Sequence, residues 1–457
     1  MQTKAKAADA TRFVYLAAAI SALGGMLFGY DIGVISGAIL FIKKDFTLSS
    51  GMEEVVVSSV LLGSLAGAAV GGMLADRFGR RKLLIVTAIV FGLGAIAAAL
   101  APGTGWLVAA RLVGGTAIGV ASFVAPLYIS EIAPVDIRGK LVSINQVALT
   151  SGIVISYLID YAFAGSQAWR WMFAIAAIPA AAFGIGLMFI PDSPRWLAGR
   201  GHLDQARAVL KRIRSADKVD AELKDIQQSV AQQKGTWSEL LSPLLRSAMI
   251  VGVGLAIAQQ ITGINTVIYY APTIFKFAGF SSSSVAILAS VGVGVVNVIF
   301  TLLAMQLIDR AGRRPLLLVS LAGMALSLIV LGLAFSLPQL SGSRGWIAVV
   351  SLMAYVGSFA VGLGPVFWLM LSEIYPLRIR GRAMSVGTAA NWSANLIVAV
   401  SFLTLTGLMG KAATFWLYAA VSIGAWLFAF FLVPETKGKT LEEIEAYMRS
   451  GKNPRSL

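Results

Sequence analysis

The chain has 457 residues, of which 57% are hydrophobic and only 13% are charged, and its formal net charge is +15. A mean hydropathy of +0.80 lies far above that of soluble domains and indicates an integral membrane protein. The absence of cysteine excludes disulfides, thiolate metal sites and cysteine catalysis, and the single histidine, His202, offers only one imidazole. We therefore expect neither a metal nor a cofactor.

Twelve apolar stretches each reach about 20 residues, the length that crosses the hydrocarbon core of a bilayer. Between the sixth and the seventh lies a polar segment, 191–246, whose 3.6-residue periodicity predicts amphipathic cytoplasmic helices. The predicted spans are 13–41, 55–75, 83–101, 106–128, 141–163, 169–190, 247–275, 284–308, 315–337, 346–372, 382–407 and 412–433.

The predicted fold is an all-α membrane protein with twelve transmembrane helices in two six-helix bundles and short cytoplasmic connector helices. Its predicted domains are an N-terminal bundle (1–190), the connector (191–246), a C-terminal bundle (247–433) and a cytoplasmic tail (434–457). Nothing in this arrangement demands more than a monomer.

The positive charge follows this topology. If the N-terminus is cytoplasmic, most of the 37 Lys and Arg residues fall in cytoplasmic segments. Those in external segments are Lys43, Lys44, Arg170, Lys276, Arg344 and Lys411, and Arg111 falls within span four. Such asymmetry is the positive-inside pattern, which predicts that both termini are cytoplasmic and makes a nucleic-acid partner improbable.

The two halves share motifs at corresponding places, which indicates a duplicated six-helix unit and favours a transporter. The matched pairs are SEIAPVDIRGK (130–140) with SEIYPLRIRGR (372–382), GMLADRFGRR (72–81) with MQLIDRAGRR (305–314), and PDSPRW (191–196) with PETKG (434–438).

The repeated loops carry charges of both signs at cytoplasmic helix ends. They can be plain topology signals, but their recurrence favours a charge network that closes the cytoplasmic side in one conformation and separates in the other. The network residues are Asp76, Arg77, Arg80, Arg81, Glu131, Arg138, Asp309, Arg310, Arg313, Arg314, Glu373 and Arg380.

Asp31 is the only carboxylate that we place deep within a span, and Arg111 is the only deep cation. Burial favours the protonated form of a carboxyl group, whereas a nearby guanidinium favours the ionised form. A motion that makes and breaks an Asp31–Arg111 contact would therefore release and bind a proton. A permanent structural ion pair, or an aspartate that faces water, is the alternative.

Amides and indoles within apolar helices are costly unless they meet partners, so they are expected to face the interior. Gln and Asn amides both donate and accept hydrogen bonds, and aromatic rings offer apolar faces, as a polar organic ligand with C–H surfaces requires. A helix interrupted near Gly263 could turn Gln259, Gln260, Asn265, Tyr269 and Tyr270 toward a cavity. Gly362, Gly364 and Pro365 are expected to make span ten flexible.

Taken together, DRFGRR, DRAGRR, RLVGGTAIGVASFVAPLYISEIAPVDIRG, PDSPRW, QQITGINTVIYYAP and PETKG resemble the signatures of the sugar porter family of the major facilitator superfamily. The resemblance covers essentially the whole chain and is greatest to bacterial galactose– and glucose–proton symporters. It implies a major facilitator fold in the inner membrane of a bacterium. It also implies proton-coupled uptake of a monosaccharide, a hexose such as glucose or galactose, by alternating access.

The resemblance also implies residue roles. The residues that match sugar-contacting positions are Phe28, Gln146, Gln259, Gln260, Asn265, Asn297, Trp368 and Asn391, and those that match an outer gate are Tyr269 and Tyr270. Asp31 in FGYD matches the proton carrier of the symporters, and Arg111 matches its partner. Span six lacks the further acid of some symporters, so one proton per sugar is expected.

Other functions compete with symport. A facilitator or exchanger would share the fold without proton coupling, and a sugar sensor usually needs a longer cytoplasmic tail than this one. An enzyme is disfavoured because no cluster of His, Cys or paired carboxylates exists. The same amides would serve glucose, galactose or a pentose such as xylose, so the sugar itself stays open.

Overall fold

The computed structural model describes residues 2–215, 218–231, 238–376, 379–439, 443–444 and 447. Of the predicted cytoplasmic tail, only 434–439, 443–444 and 447 are among the described residues. Parts of the predicted connector also lie outside them. The helices are α1 Gln2–Asp45, α2 Ser50–Phe78, α3 Arg80–Ala99, α4 Thr104–Ile132, α5 Arg138–Ala164, α6 Trp169–Ala174, α7 Ala177–Met188, α8 Pro194–Gly199, α9 Leu203–Ile213, α10 Val219–Ala231, α11 Arg246–Ile261, α12 Ile264–Phe277, α13 Ser283–Ala311, α14 Arg313–Ser336, α15 Arg344–Val361, α16 Leu363–Glu373, α17 Arg380–Leu408 and α18 Lys411–Leu432. Short 3-10 turns occupy Val135–Ile137, Ser238–Leu241, Pro243–Leu245 and Pro338–Leu340.

Within the described residues, twelve helical segments are long and apolar enough to cross a membrane. The prediction of twelve spanning helices is therefore confirmed, and the polar segment between the sixth and seventh spans contains α8, α9 and α10. Three spans are made of two helices each, namely Trp169–Met188, Arg246–Phe277 and Arg344–Glu373.

The seventh span breaks at the glycine that the sequence indicated. Gly263 separates α11 from α12 with a φ of 95°, a left-handed conformation that L residues with a side chain rarely adopt. A Cβ at this position would lie 3.1 Å from the ring of Tyr418. A second irregularity follows at Tyr270, where φ is −116°, two residues before Pro272. The break at Gly263 and the kink at Tyr270 together change the direction in which the side chains of α12 point.

The tenth span breaks at Gly362, where the backbone leaves the helical region between α15 and α16. A Cβ on Gly362 would overlap the backbone carbonyl of Leu316, so this helix approaches α14 too closely for any other residue. Across the break, the Leu363 amide donates a hydrogen bond of 3.1 Å to Ser320 Oγ, which satisfies a backbone group that the interrupted helix leaves without a partner.

The contacts divide the chain into two compact units. Unit 1 comprises 1–31, 59–156 and 170–233, and within it α3 packs against α4 and α7. Unit 2 comprises 32–58, 157–169 and 234–457, and within it α14 packs against α15 and α18, while α11 packs against α17. α1, α2 and α5 each contribute residues to both units.

Glycines let the helices of unit 1 approach closely. A Cβ on Gly29 of α1 would overlap the carbonyl of Leu149 on α5, and a Cβ on Gly115 of α4 would overlap that of Val60 on α2. Small residues at such positions let two backbones come into direct contact. They fix the segments that carry Phe28, Asp31, Gln146 and Arg111.

Candidate functional site

Four amide side chains of unit 2 form one hydrogen-bond network. Asn265 Nδ2 donates to Gln260 Oε1 at 2.8 Å, and Gln260 Nε2 donates to Asn391 Oδ1 at 3.0 Å and to Gln259 Oε1 at 3.3 Å. Asn391 Nδ2 in turn donates to Gln259 Oε1 at 2.6 Å. Gln259, Gln260 and Asn391 are buried, so the structure brings together four residues that the sequence selected separately.

The broken helices hold this network in place. Gln259 and Gln260 occupy the last turn of α11, and Asn265 opens α12 just beyond Gly263. Gln259 Nε2 donates to the carbonyl of Gly364 at 3.1 Å, at the start of α16, and Asn391 Nδ2 donates to that of Ala256 at 3.0 Å. The network therefore ties α11 to α16 and α17, and it presents both donors and acceptors, as recognition of a hydroxylated ligand requires.

The tyrosines that follow are buried. Tyr270 donates from its hydroxyl to the Ala399 carbonyl at 3.3 Å, and its ring lies 5.1 Å from that of Phe402. Asn395 Nδ2 donates to the Tyr269 hydroxyl at 3.5 Å. Sequence reasoning missed Asn395, although it follows Asn391 by four residues and so lies on the same face of α17.

Two other predicted contacts stay apart from the network. Asn297 is buried on α13, with 6% of its surface exposed, but the hydrogen-bond network of the described residues does not include it. Trp368 on α16 is 40% exposed, and its ring lies 4.6 Å from that of Phe367. Trp368 is therefore partly accessible to solvent, whereas Asn297 is enclosed by its neighbours. Neither position identifies a ligand.

Unit 1 contains the predicted charge pair. Arg111 Nη2 lies 3.5 Å from Asp31 Oδ2, and the guanidinium carbon lies 5.6 Å from the centre of the Phe173 ring. The Arg111 side chain is almost wholly buried, whereas the Asp31 side chain is 13% exposed. The separation is that of an ion pair, longer than the charge-assisted hydrogen bonds of a tightly locked pair. The structure therefore places these two residues together as an ion pair.

Phe28 and Gln146 also belong to unit 1, where both are half-buried. Phe28 lies on α1 one turn before Asp31, and Gln146 lies on α5 beside Asn145, which contacts Gly25 of α1. The close approach of α1 and α5 thus positions both side chains.

Asp31 is not the only acidic residue that the protein shields from solvent in its spanning helices. Asp160 of α5 is fully buried, and Glu53 and Glu54 are buried within α2. Asp160 was visible in the sequence, since it stands inside the apolar run ISYLIDYAF, but its position near the end of the predicted span hid its burial.

The charged motif of the first half builds a compact charge cluster in unit 1. Arg80 forms a two-pronged ion pair with Glu131, both hydrogen bonds measuring 3.0 Å, and lies 3.1 Å from Asp76. Asp192 Oδ1 accepts from the backbone amide of Arg80 at 3.0 Å, so the carboxylate caps the N-terminus of α3. Arg81 donates to the carbonyls of Leu187 and Met188.

The second half repeats this cluster in unit 2. Arg313 pairs with Glu373 at 2.9 Å and lies 3.7 Å from Asp309, and Glu435 accepts from the backbone amides of Arg313 and Arg314 at 3.0 Å each. Sequence reasoning quoted the PDSPRW and PETKG motifs but missed that Asp192 and Glu435 are the helix caps.

The remaining predicted network residues differ in their contacts. Arg314 donates to the Phe430 carbonyl, and Arg380 donates to that of Tyr375. In the part of the chain that the structure describes, the ion pairs do not include Arg77, Arg138 or Arg310, which are exposed.

Comparison with known proteins identifies the family. The profile of the family described as "Sugar (and other) transporter" matches residues 17–448. The chain belongs to the sugar transporter family. It is 43% identical to the D-xylose transporter of Levilactobacillus brevis, with 96% of each chain covered. It is also 41% identical to the galactose-proton symporter of Escherichia coli (strain K12), with 96% of this chain and 95% of the symporter covered.

A solved structure shows the same fold. The structure of the proton:xylose symporter XylE of E. coli bound to 6-bromo-6-deoxy-D-glucose is similar, with a TM-score of 0.81 and 36% sequence identity over 96% of this chain and 99% of that chain. This member of the sugar transporter family therefore has the major facilitator fold and is a multi-pass membrane protein. The family is one of transporters, not of enzymes.

Proposed function

We propose that this protein is a secondary active transporter that takes up a monosaccharide together with a proton by alternating access. The observation that carries the proposal is the Asp31–Arg111 pair at 3.5 Å. A buried acid whose cationic partner can approach or withdraw changes its proton affinity with conformation. That property is what proton coupling requires and what a facilitator has no need of.

The sugar is proposed to bind to the amide network. Gln259, Gln260, Asn265 and Asn391 hydrogen-bond to one another, so sugar hydroxyls can replace amide partners at little cost. Phe28, Gln146, Asn297 and Trp368 are proposed to complete the site, with Tyr269 and Tyr270 as its outer gate. A hexose such as glucose or galactose is the proposed substrate, and xylose is the pentose to test against it.

The proposed orientation places both termini in the cytoplasm of a bacterial cell and the short loop between α1 and α2 outside, as the positive-inside pattern supports. The proposed domains are the bundles 1–190 and 247–433, the connector 191–246 and the tail 434–457, in a monomer. The charge clusters around Arg80 and Arg313 then lie on the cytoplasmic side, where we propose that they stabilise one conformation.

The experiment is sugar uptake into proteoliposomes under an imposed proton gradient. The parent protein should accumulate sugar and alkalinise the medium. Asp31→Asn should retain counterflow, which needs no driving force, but lose accumulation. Glucose, galactose and xylose are compared in parallel. Accumulation of xylose alone would overturn the choice of a hexose.

A matched control keeps the result specific. Asp220→Asn removes an exposed carboxylate of the connector, where it pairs with Arg207, and should accumulate sugar as the parent does. If Asp31→Asn still accumulates sugar, the carboxylate is structural and the proposed coupling is wrong. If the parent only equilibrates sugar, the protein is a facilitator.

A further inference from the structure

Three buried carboxylates of unit 2 lie on α2 and α5, and two of them are satisfied. Glu53 accepts a hydrogen bond of 2.6 Å from Lys43 Nζ. Glu54 accepts from the Thr404 amide at 2.8 Å and from the Thr404 hydroxyl at 2.6 Å. Asp160 differs, because it is fully buried and neither of its carboxyl oxygens accepts a well-formed hydrogen bond from a described residue.

The surroundings of Asp160 contain no cation among the described residues. α1 presents the backbone of Gly37, on which a Cβ would overlap the Asp160 carboxyl group. One turn earlier on α5, Tyr157 donates its hydroxyl to the Ile268 carbonyl at 2.8 Å and so is committed elsewhere. That carbonyl belongs to α12, in which Tyr269 is the next residue. The titratable neighbours are thus two neutral phenols.

An ionised carboxyl group in such a place is costly. A charge without a counterion in a low-dielectric interior carries a desolvation penalty of several kcal/mol, which one backbone amide, that of Gly37, offsets only in part, whereas the neutral acid carries much less. Lys43 does not relieve the penalty, because it is paired with Glu53. The packing of α1, α5 and α12 around Asp160 therefore requires a proton on its carboxyl group.

We propose that Asp160 is a second proton-binding site, which must be loaded before α1, α5 and α12 can pack together as they do here. The proposal rests on the transport cycle proposed above, in which this end of unit 2 faces the outside and opens to admit sugar. On opening, water reaches the carboxyl group and it releases its proton to the same side. Asp160 binds one proton, and this proton is not carried across the membrane.

The test measures counterflow in the Asp31→Asn background, where the proposed proton carrier no longer titrates. A step that needs a protonated group slows about tenfold per pH unit once the external pH exceeds the ionisation point of that group. We expect this decline for Asp31→Asn and a flat profile for Asp31→Asn with Asp160→Asn. A flat profile for the single variant, or a decline that survives in the double variant, would overturn the proposal.

Asparagine has the shape of the protonated acid, so Asp160→Asn should fold and retain counterflow in acidic medium. Loss of counterflow by this variant even at acidic external pH would count against the proposal, since a permanently neutral side chain should satisfy the packing. Accumulation of sugar by Asp31→Asn, in contrast, would overturn the proposed coupling and leave the role of Asp160 intact. The two failures are thus distinguishable.

A second readout needs no transport. Because the chain has no cysteine, Ala399→Cys, beside the Tyr270 hydroxyl, reports on opening through its reaction with a membrane-impermeant maleimide added outside. Comparison with Ala399→Cys carrying Asp160→Asn at each pH cancels the intrinsic pH dependence of the thiol. Labelling should rise several-fold more steeply with pH when Asp160 is present. Identical profiles would refute the inference.

Discussion

At the residue scale, the amides of α11, α12 and α17 matter because each partners another. Gln260 stands at the centre of the network, since its side chain donates to Asn391 and Gln259 and accepts from Asn265. Removal of the Gln260 side chain leaves buried polar groups without partners in addition to deleting a proposed sugar contact. A loss at this position therefore exceeds that of one isolated hydrogen bond.

Gln260→Ala should weaken sugar binding by about tenfold to a hundredfold, because one buried polar group without its partner costs about 1–3 kcal/mol. Titration calorimetry of the purified protein with glucose, galactose and xylose measures the change. Gln339→Ala, an exposed amide in the turn after α14, is the matched control and should bind sugar as the parent does. Unchanged affinity in a folded Gln260→Ala protein would show that the sugar site lies elsewhere.

At the scale of elements, the sequence indicated the twelve spans and the break at Gly263, because apolar length and a glycine within a polar cluster leave direct marks. It did not lead to a prediction of the break within the sixth span, where α6 ends at Ala174 and α7 begins at Ala177, although Pro179 has no amide hydrogen to donate to the Ile175 carbonyl. Nor did it reveal the burial of Asp160, which depends on neighbours from α1 and α12 that are distant in sequence. Contacts between residues far apart in the sequence, such as Glu54 of α2 with Thr404 of α17, could not be predicted either.

The break between α11 and α12 gives a prediction of its own. Gly263→Ala forces an alanine into a left-handed conformation, which costs about 1–2 kcal/mol, and brings its Cβ against the Tyr418 ring. Gly279→Ala is the control, because Gly279 has a φ of 107° and open space around it. Both variants should lower the apparent melting temperature in detergent, and Gly263→Ala should lower it more because only its Cβ meets a neighbouring ring. Only Gly263→Ala should also weaken sugar binding several-fold. If the two variants bind sugar with equal affinity, the helix break at Gly263 does not shape the sugar site.

At the scale of the whole molecule, the repeated clusters show the same design in both units. Arg80, Glu131 and Asp192 in unit 1 correspond to Arg313, Glu373 and Glu435 in unit 2, and a glycine with a φ of 92° precedes each arginine. The proposed proton-coupling pair, Asp31 and Arg111, lies outside these motifs and within unit 1. Duplication thus accounts for the repeated charge clusters but not for the proposed coupling pair.

One proton carrier per molecule predicts the energetics of accumulation. With one charge moved per sugar, a membrane potential of about 150 mV supplies roughly 3.5 kcal/mol, which supports a concentration ratio of a few hundred. The steady-state ratio should therefore rise tenfold for each additional 59 mV or so of imposed potential, whereas two protons would give the same rise for about half of that. Potassium diffusion potentials across proteoliposomes, with the pH equal on both sides, measure this slope. Asp160→Asn should leave the slope unchanged because its proton returns to the side from which it came, and a slope that falls to half in this variant would make Asp160 a carrier instead of a gate.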